Sequence, residues 1–471
     1  MKFKIKFKSK KIAALLFSGI LVVAISVVIT VLFLTKPALF IYNYSNSMEN
    51  FSKDDRVLIL APHPDDEVIG TGGIIQRALS AGAKVNIICF TNGDLNQAAF
   101  LAYEKKPAIF QRQFLLLGET RRLESIKGIE SLGLDKNDIK YLGYPDFGTL
   151  KVMLEYWDPL HPYRSPFSRE EKVPYPESFS PNAPYCGESI LNDLEKLISD
   201  FKPTKIFVSS PIDLNNDHKA LYLFLQVALW DLKDSIGSPD VFEYIVHAKN
   251  WPEIQGYYPL KKLTFPVIIK GDEITWYDFV LTAAETEKKH EAVLNYKSQL
   301  EYKPKFLVSF VKSDEIFSKF KEIDLKDSGT LDLNWQKADV HKDSVGNIVN
   351  SDFEDLSYAF KEKDLYLKLK LKRSIDEKMG IQVYLLGYRN DVEFKNMPKI
   401  QIKIGFTGVE ILDKKAVVSG SKINLSYEGK DLIIRIPASL LGDPSYVLSY
   451  VGTRAGDLSY DALAWRVLKL N

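Results

Sequence analysis

The chain is most tightly constrained where an apolar run, Val57-Leu58-Ile59-Leu60, breaks into Ala61-Pro62-His63-Pro64-Asp65-Asp66-Glu67, followed by Gly70, Gly72 and Gly73. An uninterrupted apolar run of strand length bounded by turn residues predicts a buried strand. Two prolines stiffen the turn and glycines follow as the next element starts. One imidazole and three carboxylates therefore gather at the strand's carboxyl end, where open α/β sheets bind ligands. His63 and Asp66, three residues apart across a tight turn, can reach one cation, and a mixed imidazole and carboxylate set suits a metal such as zinc. Asp65 lies between them, is pointed differently, and can act as general base on water. Read alone, the same turn could do no more than cap the following helix, a common use of Asp at such a junction.

Up to about Gln299 the pattern alternates between strand and helix. Lys84–Phe90 reads as a second buried strand ending in Thr91-Asn92-Gly93-Asp94. A helix is expected from about Glu119 to Leu132, stopped by Gly133, and Lys205–Val208 is another short strand. Such alternation implies a mostly parallel sheet. The stretch from Asp146 to Tyr185 is rich in Pro, Tyr and Ser and has no steady period. It reads equally as a loop over the site or as a packed surface loop, and His161 within it receives no role. The only cysteines, Cys89 and Cys186, lie far apart in different contexts, so no disulfide is expected.

Beyond about residue 305 the texture changes to period two. In Leu365-Tyr366-Leu367-Lys368-Leu369-Lys370-Leu371-Lys372 the leucines share one face and the lysines lie on the other. Lys399–Phe406 and Leu432–Pro437 repeat that style, which predicts an antiparallel β-sandwich. Trp335 and Trp465 could equally stack on sugar rings or fill its core.

The first eleven residues carry six lysines and no acid, and Ile12–Leu34 is uncharged and mostly apolar. As a helix rising about 1.5 Å per residue that run is about 34 Å long, enough to span a bilayer. It exceeds the roughly 7–15-residue apolar core of a cleaved signal peptide. An uncleaved anchor over 12–34 is therefore expected, with 1–11 cytoplasmic and the remainder extracytoplasmic. Without the six leading lysines the basic residues number 56 against 61 acidic, which disfavours nucleic-acid binding.

The Ala61–Glu67 heptapeptide resembles the signature of the PIG-L/LmbE-like zinc deacetylases, which remove acetyl from N-acetylglucosamine-type substrates. The resemblance covers roughly residues 55–300 and implies a Rossmann-like sheet over a domain at 50–305. It also implies zinc held by His63, Asp66 and His218. Taken alone, His218 in Asp213-Leu214-Asn215-Asn216-Asp217-His218 reads more simply as a capping or exposed histidine. Asp217 would orient the site. Where the family carries a histidine thought to serve the leaving amine or the oxyanion, this chain has Asn215, which can donate a hydrogen bond but cannot shuttle a proton. Two replacements stand: Asp65 itself, or His247, which is favoured because its Val-His segment resembles that of membrane-anchored and diacetylchitobiose-type relatives.

Thr120-Arg121-Arg122-Leu123-Glu124 and Leu142-Gly143-Tyr144-Pro145-Asp146 resemble further family segments, making Arg121 and Asp146 candidate sugar-hydroxyl contacts. Lys288–Gln299 resembles the closing helix. Residues 320–471 weakly resemble the sandwich of family 9 carbohydrate-binding modules and DOMON-like domains. The expectation is a membrane-anchored, zinc-dependent deacetylase of an N-acetylated sugar, glycan or glycolipid. Its rival is a catalytically silent scaffold that binds glycans, which only Asn215 favours.

Overall fold

The computed structural model describes residues 45–105, 110–266, 274–338, 343–344, 353–372, 379–419, 423–429, 431–455 and 458–471. The expected anchor at 12–34 lies outside them. Among the described residues no helix is long and apolar enough to cross a membrane.

The first half alternates β1 (Arg56–Ala61), α1 (Asp66–Ser80), β2 (Lys84–Thr91), α2 (Gln97–Glu104), α3 (Gln111–Leu132), β3 (Ile139–Tyr144), α4 (Thr149–Glu155), α5 (Gly187–Phe201), β4 (Lys205–Ser209), α6 (Asn216–Asp231) and β5 (Asp240–Tyr244). Then come β6 (Ile274–Val280), α7 (Ala283–Val293), α8 (Lys297–Tyr302), α9 (Pro304–Val308) and β7 (Asp314–Phe320). The strands lie side by side as β6-β7-β5-β4-β1-β2-β3. β5, β4, β1, β2 and β3 run parallel, while β7 runs antiparallel to both β5 and β6.

Side chains of β1 alternate between two cores: Val57 and Ile59 enter one, Leu58 and Leu60 the other. The strand is buried on both faces, as its unbroken apolar run requires. Strand order reverses between β1 and β4, which makes the crevice outside their carboxyl ends the switch point of the sheet.

Helix α1 is interrupted at Thr71 (φ −140°, ψ 18°). The Gly73 N–H and the Ile69 carbonyl are i and i−4 partners in a continuous helix. Here Gly73 N donates to Glu315 Oε1 at 2.7 Å, and Ile69 O accepts from Lys289 Nζ at 2.9 Å. Lys289 and Glu315, both buried, pair at 2.6 Å. An ion pair from α7 and β7 thus replaces the missing helical bond and fixes the turn of α1 that carries Asp66.

Helix α3 begins eight residues before the expected start at Glu119. Gly118 lowers the helical signal there, but a Cβ at that position would strike the Tyr175 hydroxyl. The glycine answers a close approach by the 146–185 stretch and is no helix stop. Most of that stretch is packed: Tyr163, Val173, Tyr175 and Tyr185 are buried, and Tyr175 OH donates to Asp94 Oδ2 at 2.8 Å. His161 is exposed and pairs with Asp158.

Two further sheets share one core, forming the sandwich. Leu365, Leu367, Leu369 and Leu371 face inward, and Leu367 sits opposite Ile434 in the antiparallel ladder. Among the described residues its strands pair antiparallel, apart from a parallel pairing of Ile323–Leu325 with Arg466–Leu470. Trp465 is buried in the cluster that also contains Phe224 and Tyr388, so it joins the sandwich to the α/β layer instead of offering a face to solvent. Trp335 is half-buried under the Lys368 ammonium at 4.4 Å.

Replacing Lys289 by Ala leaves the Glu315 carboxylate buried without its cation. The expected cost is about 3–5 kcal/mol, read as a lowered denaturation midpoint; an unchanged midpoint would contradict the role given to the pair.

Candidate metal and substrate site

The loops after β1, β3, β4 and β5 converge on a cavity of about 270 Å³. His63 enters from the turn after β1, and its own N–H donates to Asp66 Oδ2 at 3.0 Å. His218 comes from the first turn of α6. His63 Nδ1, Asp66 Oδ2 and His218 Nε2 form a triangle with edges of 3.3, 3.1 and 3.3 Å. Tetrahedral ligands bound at about 2.0–2.1 Å lie about 3.3 Å apart, so the triangle fits zinc without rearrangement.

The second nitrogen of each imidazole meets a carboxylate. His63 Nε2 lies 3.2 Å from Asp146 Oδ1 and 3.3 Å from Asp217 Oδ2; His218 Nδ1 lies 3.2 Å from Asp213 Oδ2. Such partners fix ring orientation and tautomer in metal sites. They are themselves held: Asp217 accepts from Phe147 N at 2.6 Å and from Thr149, and Asp213 from the N–H groups of Val246 and His247 at 3.0 and 2.9 Å. Burial opposes ionisation of Asp66 and Asp213, yet the neighbouring histidines pull both carboxyls far below the usual range. Burial likewise opposes charge on His218, but Asp213 and Asp66 raise it to about 9. Five buried carboxylates against two imidazoles and one guanidinium make a strongly cation-seeking pocket.

Asp65 stands apart from this triangle. It occupies the N-cap position of α1 at φ 134°, but its side chain makes no capping hydrogen bond. Instead Oδ2 accepts from Arg121 Nη2 at 3.2 Å, and its N–H donates to Glu67 Oε2 at 2.9 Å. A non-glycine residue at such φ is strained, and strain of this kind collects at functional sites. Burial raises the Asp65 carboxyl to about 7, against the pull of Arg121 and with the push of Asp66 and Glu67.

Arg121 is buried, donating also to Pro64 O and Gly93 O at 2.9 Å. Arg121 and Asp146, expected at sugar hydroxyls, do line the cavity, but their polar atoms first serve Asp65 and His63. Asn215 caps α6 through Oδ1, which accepts from Asp217 N at 2.8 Å, and also lines the cavity. His247 follows β5 and its ring lies 4.8 Å from that of His218. Burial lowers His247 to about 4, so the ring is neutral at pH 7.

Sequence reasoning gave no role to Asp213 or Glu67. Glu67 accepts from Tyr296 OH at 2.6 Å and from Ser125 Oγ, bracing the turn from behind. Asp213 carries the same signal as Asp65 and Asp66, an acid just past the end of a buried parallel strand. The helix pieces also meet: Glu124 Oε2 accepts from Ser298 Oγ at 2.6 Å.

A mostly parallel sheet with an imidazole and carboxylate cluster at its switch point defines an α/β protein whose donor set could hold a cation beside a small cavity. Residues 58–229 match the family model described as PIG-L, GlcNAc-PI de-N-acetylase. A 1D-myo-inositol 2-acetamido-2-deoxy-alpha-D-glucopyranoside deacetylase of Kineococcus radiotolerans is 33% identical over 100 residues, covering 21% of this chain and 26% of that protein. The chain thus matches about a quarter of that relative's length. Among solved structures, an N,N'-diacetylchitobiose deacetylase from Pyrococcus horikoshii aligns with TM-score 0.36 and 20% identity over 56% of this chain and 84% of its own. A deacetylase of the teicoplanin biosynthesis pathway aligns with TM-score 0.36 and 13% identity over 56% and 98%.

Because Asp213 orients His218, Asp213→Ala should weaken zinc affinity about 10–100-fold in a chelator-competition titration. Unchanged affinity would contradict the orienting role.

Proposed function

We propose that this chain is a zinc-dependent deacetylase of N-acetylated sugars, tethered by residues 12–34 with residues 50–471 extracytoplasmic. The observation that carries the reading is the His63–Asp66–His218 triangle, with edges matching tetrahedral zinc and Asp65 held off it on Arg121. The PIG-L match over 58–229 and the acetamido-sugar substrate in the name of the Kineococcus relative support the substrate class.

Zinc at the triangle would supply Lewis acidity toward the acetamide carbonyl and the attacking water. Asp65 takes a proton from that water as its oxygen bonds to the amide carbon. The C–N bond then breaks, acetate departs, and the sugar amine receives a proton. Asn215, with Oδ1 committed to its helix, offers its carboxamide N–H to the developing oxyanion. His247 lines the same cavity and is assigned to the leaving amine; its ring is neutral before turnover, so the proton it delivers is the one that Asp65 took from the water. Arg121 keeps Asp65 aimed, and Asp146 keeps His63 aimed while either can still meet a sugar hydroxyl.

Asp65→Asn should retain stoichiometric zinc and lose turnover; a fully active variant would sink the assignment. Purified protein that keeps only substoichiometric metal after dialysis would favour the silent glycan-binding scaffold instead. His247→Ala should slow the chemical step by about 10²–10⁴-fold, as for a general acid, with zinc retained and with a greater loss than Asn215→Ala. Near-wild-type turnover in single-turnover assays would assign both proton transfers to Asp65, and loss of zinc would make His247 part of the metal shell.

A further inference from the structure

Phe147 follows Asp146 at the mouth of the cavity and lines it. Its backbone lies at φ 55°, a region that favours glycine and disfavours a bulky side chain. The conformation is imposed by the site, because the Phe147 N–H is held on Asp217 Oδ2 at 2.6 Å, and that carboxylate holds His63. The residue is 59% exposed. This position therefore carries both a backbone cost and an exposed aromatic surface beside the cavity.

At about 270 Å³ the cavity falls just below the roughly 300–1,000 Å³ of pockets that engulf drug-sized ligands. It takes about one acetamido sugar, so further rings of a glycan must lie at the mouth. Other aromatic groups stand there too: Phe306 lies edge-on to His247 with centroids 5.9 Å apart, and Tyr302, the last residue of α8, also lines the cavity.

Resting on the deacetylase reading, we propose that Phe147 is a specificity-determining residue: a platform on which a second pyranose ring stacks, so that the enzyme prefers oligomeric N-acetyl sugars to the monosaccharide. The C–H face of a pyranose supplies the apolar surface that an exposed aromatic ring binds.

Full-length protein is assayed for acetate release from N-acetylglucosamine, N,N'-diacetylchitobiose and the tetra-acetyl tetramer. Wild type should favour the tetramer. In Phe147→Asn, which the left-handed region tolerates, the tetramer-to-monosaccharide ratio of kcat/KM should fall roughly three- to tenfold through KM, the size expected of one aromatic contact. Phe147→Trp should keep the preference, and Tm of the Asn variant should not fall. An unchanged ratio, a uniform loss on all three sugars with lowered Tm, failure of Trp to rescue, or a wild type without oligomer preference would each overturn the platform alone. A wild type that releases acetate from none of them would overturn the deacetylase reading and the platform with it.

Discussion

The buried pairing of two imidazoles with four carboxylates at the carboxyl edge of the sheet governs the rest of this structure. His63 and His218 each present one nitrogen to Asp66 and the other to a second acid, Asp146 and Asp217 for His63 and Asp213 for His218. Negative charge in excess, removed from water, is costly unless a cation or a dense set of donors answers it. The fold answers with backbone N–H groups from Phe147, Val246 and His247 and with the Arg121 guanidinium. These groups come from the loop after β3, the loop after β5 and helix α3, so the cluster ties separate parts of the sheet's carboxyl edge together as it forms.

Support reaches further out through α1. Its first turn carries Asp66 and Glu67, and its break at Thr71 is closed by the Lys289–Glu315 pair. Glu67 is braced by Ser125 from α3 and by Tyr296 just before α8. The turn that bears His63 and Asp65 therefore rests on α3, α7, β7 and the residue before α8, and elements far along the chain act on the site by holding it.

Much of this was legible because the signals are local. The apolar run Val57–Leu60 breaking into prolines and acids gave a strand and a cluster at its end, and alternation in Leu365–Leu371 gave a one-sided strand facing a core. Asp213 was less legible, since an acid in a turn full of Asn and Asp looks like solvent-facing turn chemistry until His218 is placed against it. The first turns of α3 were not legible because Gly118 sits inside the helix to admit the Tyr175 hydroxyl, a contact that leaves no local mark in the sequence. The 146–185 stretch has no period because its aromatic residues pack individually, and only its first residues, Asp146 and Phe147, reach the cavity. Trp465 could not be assigned from sequence because its burial depends on a second layer meeting the first, which leaves no local pattern.

In the proposed enzyme His63, Asp66 and His218 would hold one zinc ion through nitrogen and oxygen alone. Zinc K-edge X-ray absorption of the reconstituted full-length protein tests it most directly. The predicted spectrum has a four-coordinate nitrogen and oxygen shell at about 2.0–2.1 Å with outer-shell scattering from two imidazoles. A thiolate scatterer near about 2.3 Å, or a shell lacking imidazole, would contradict it.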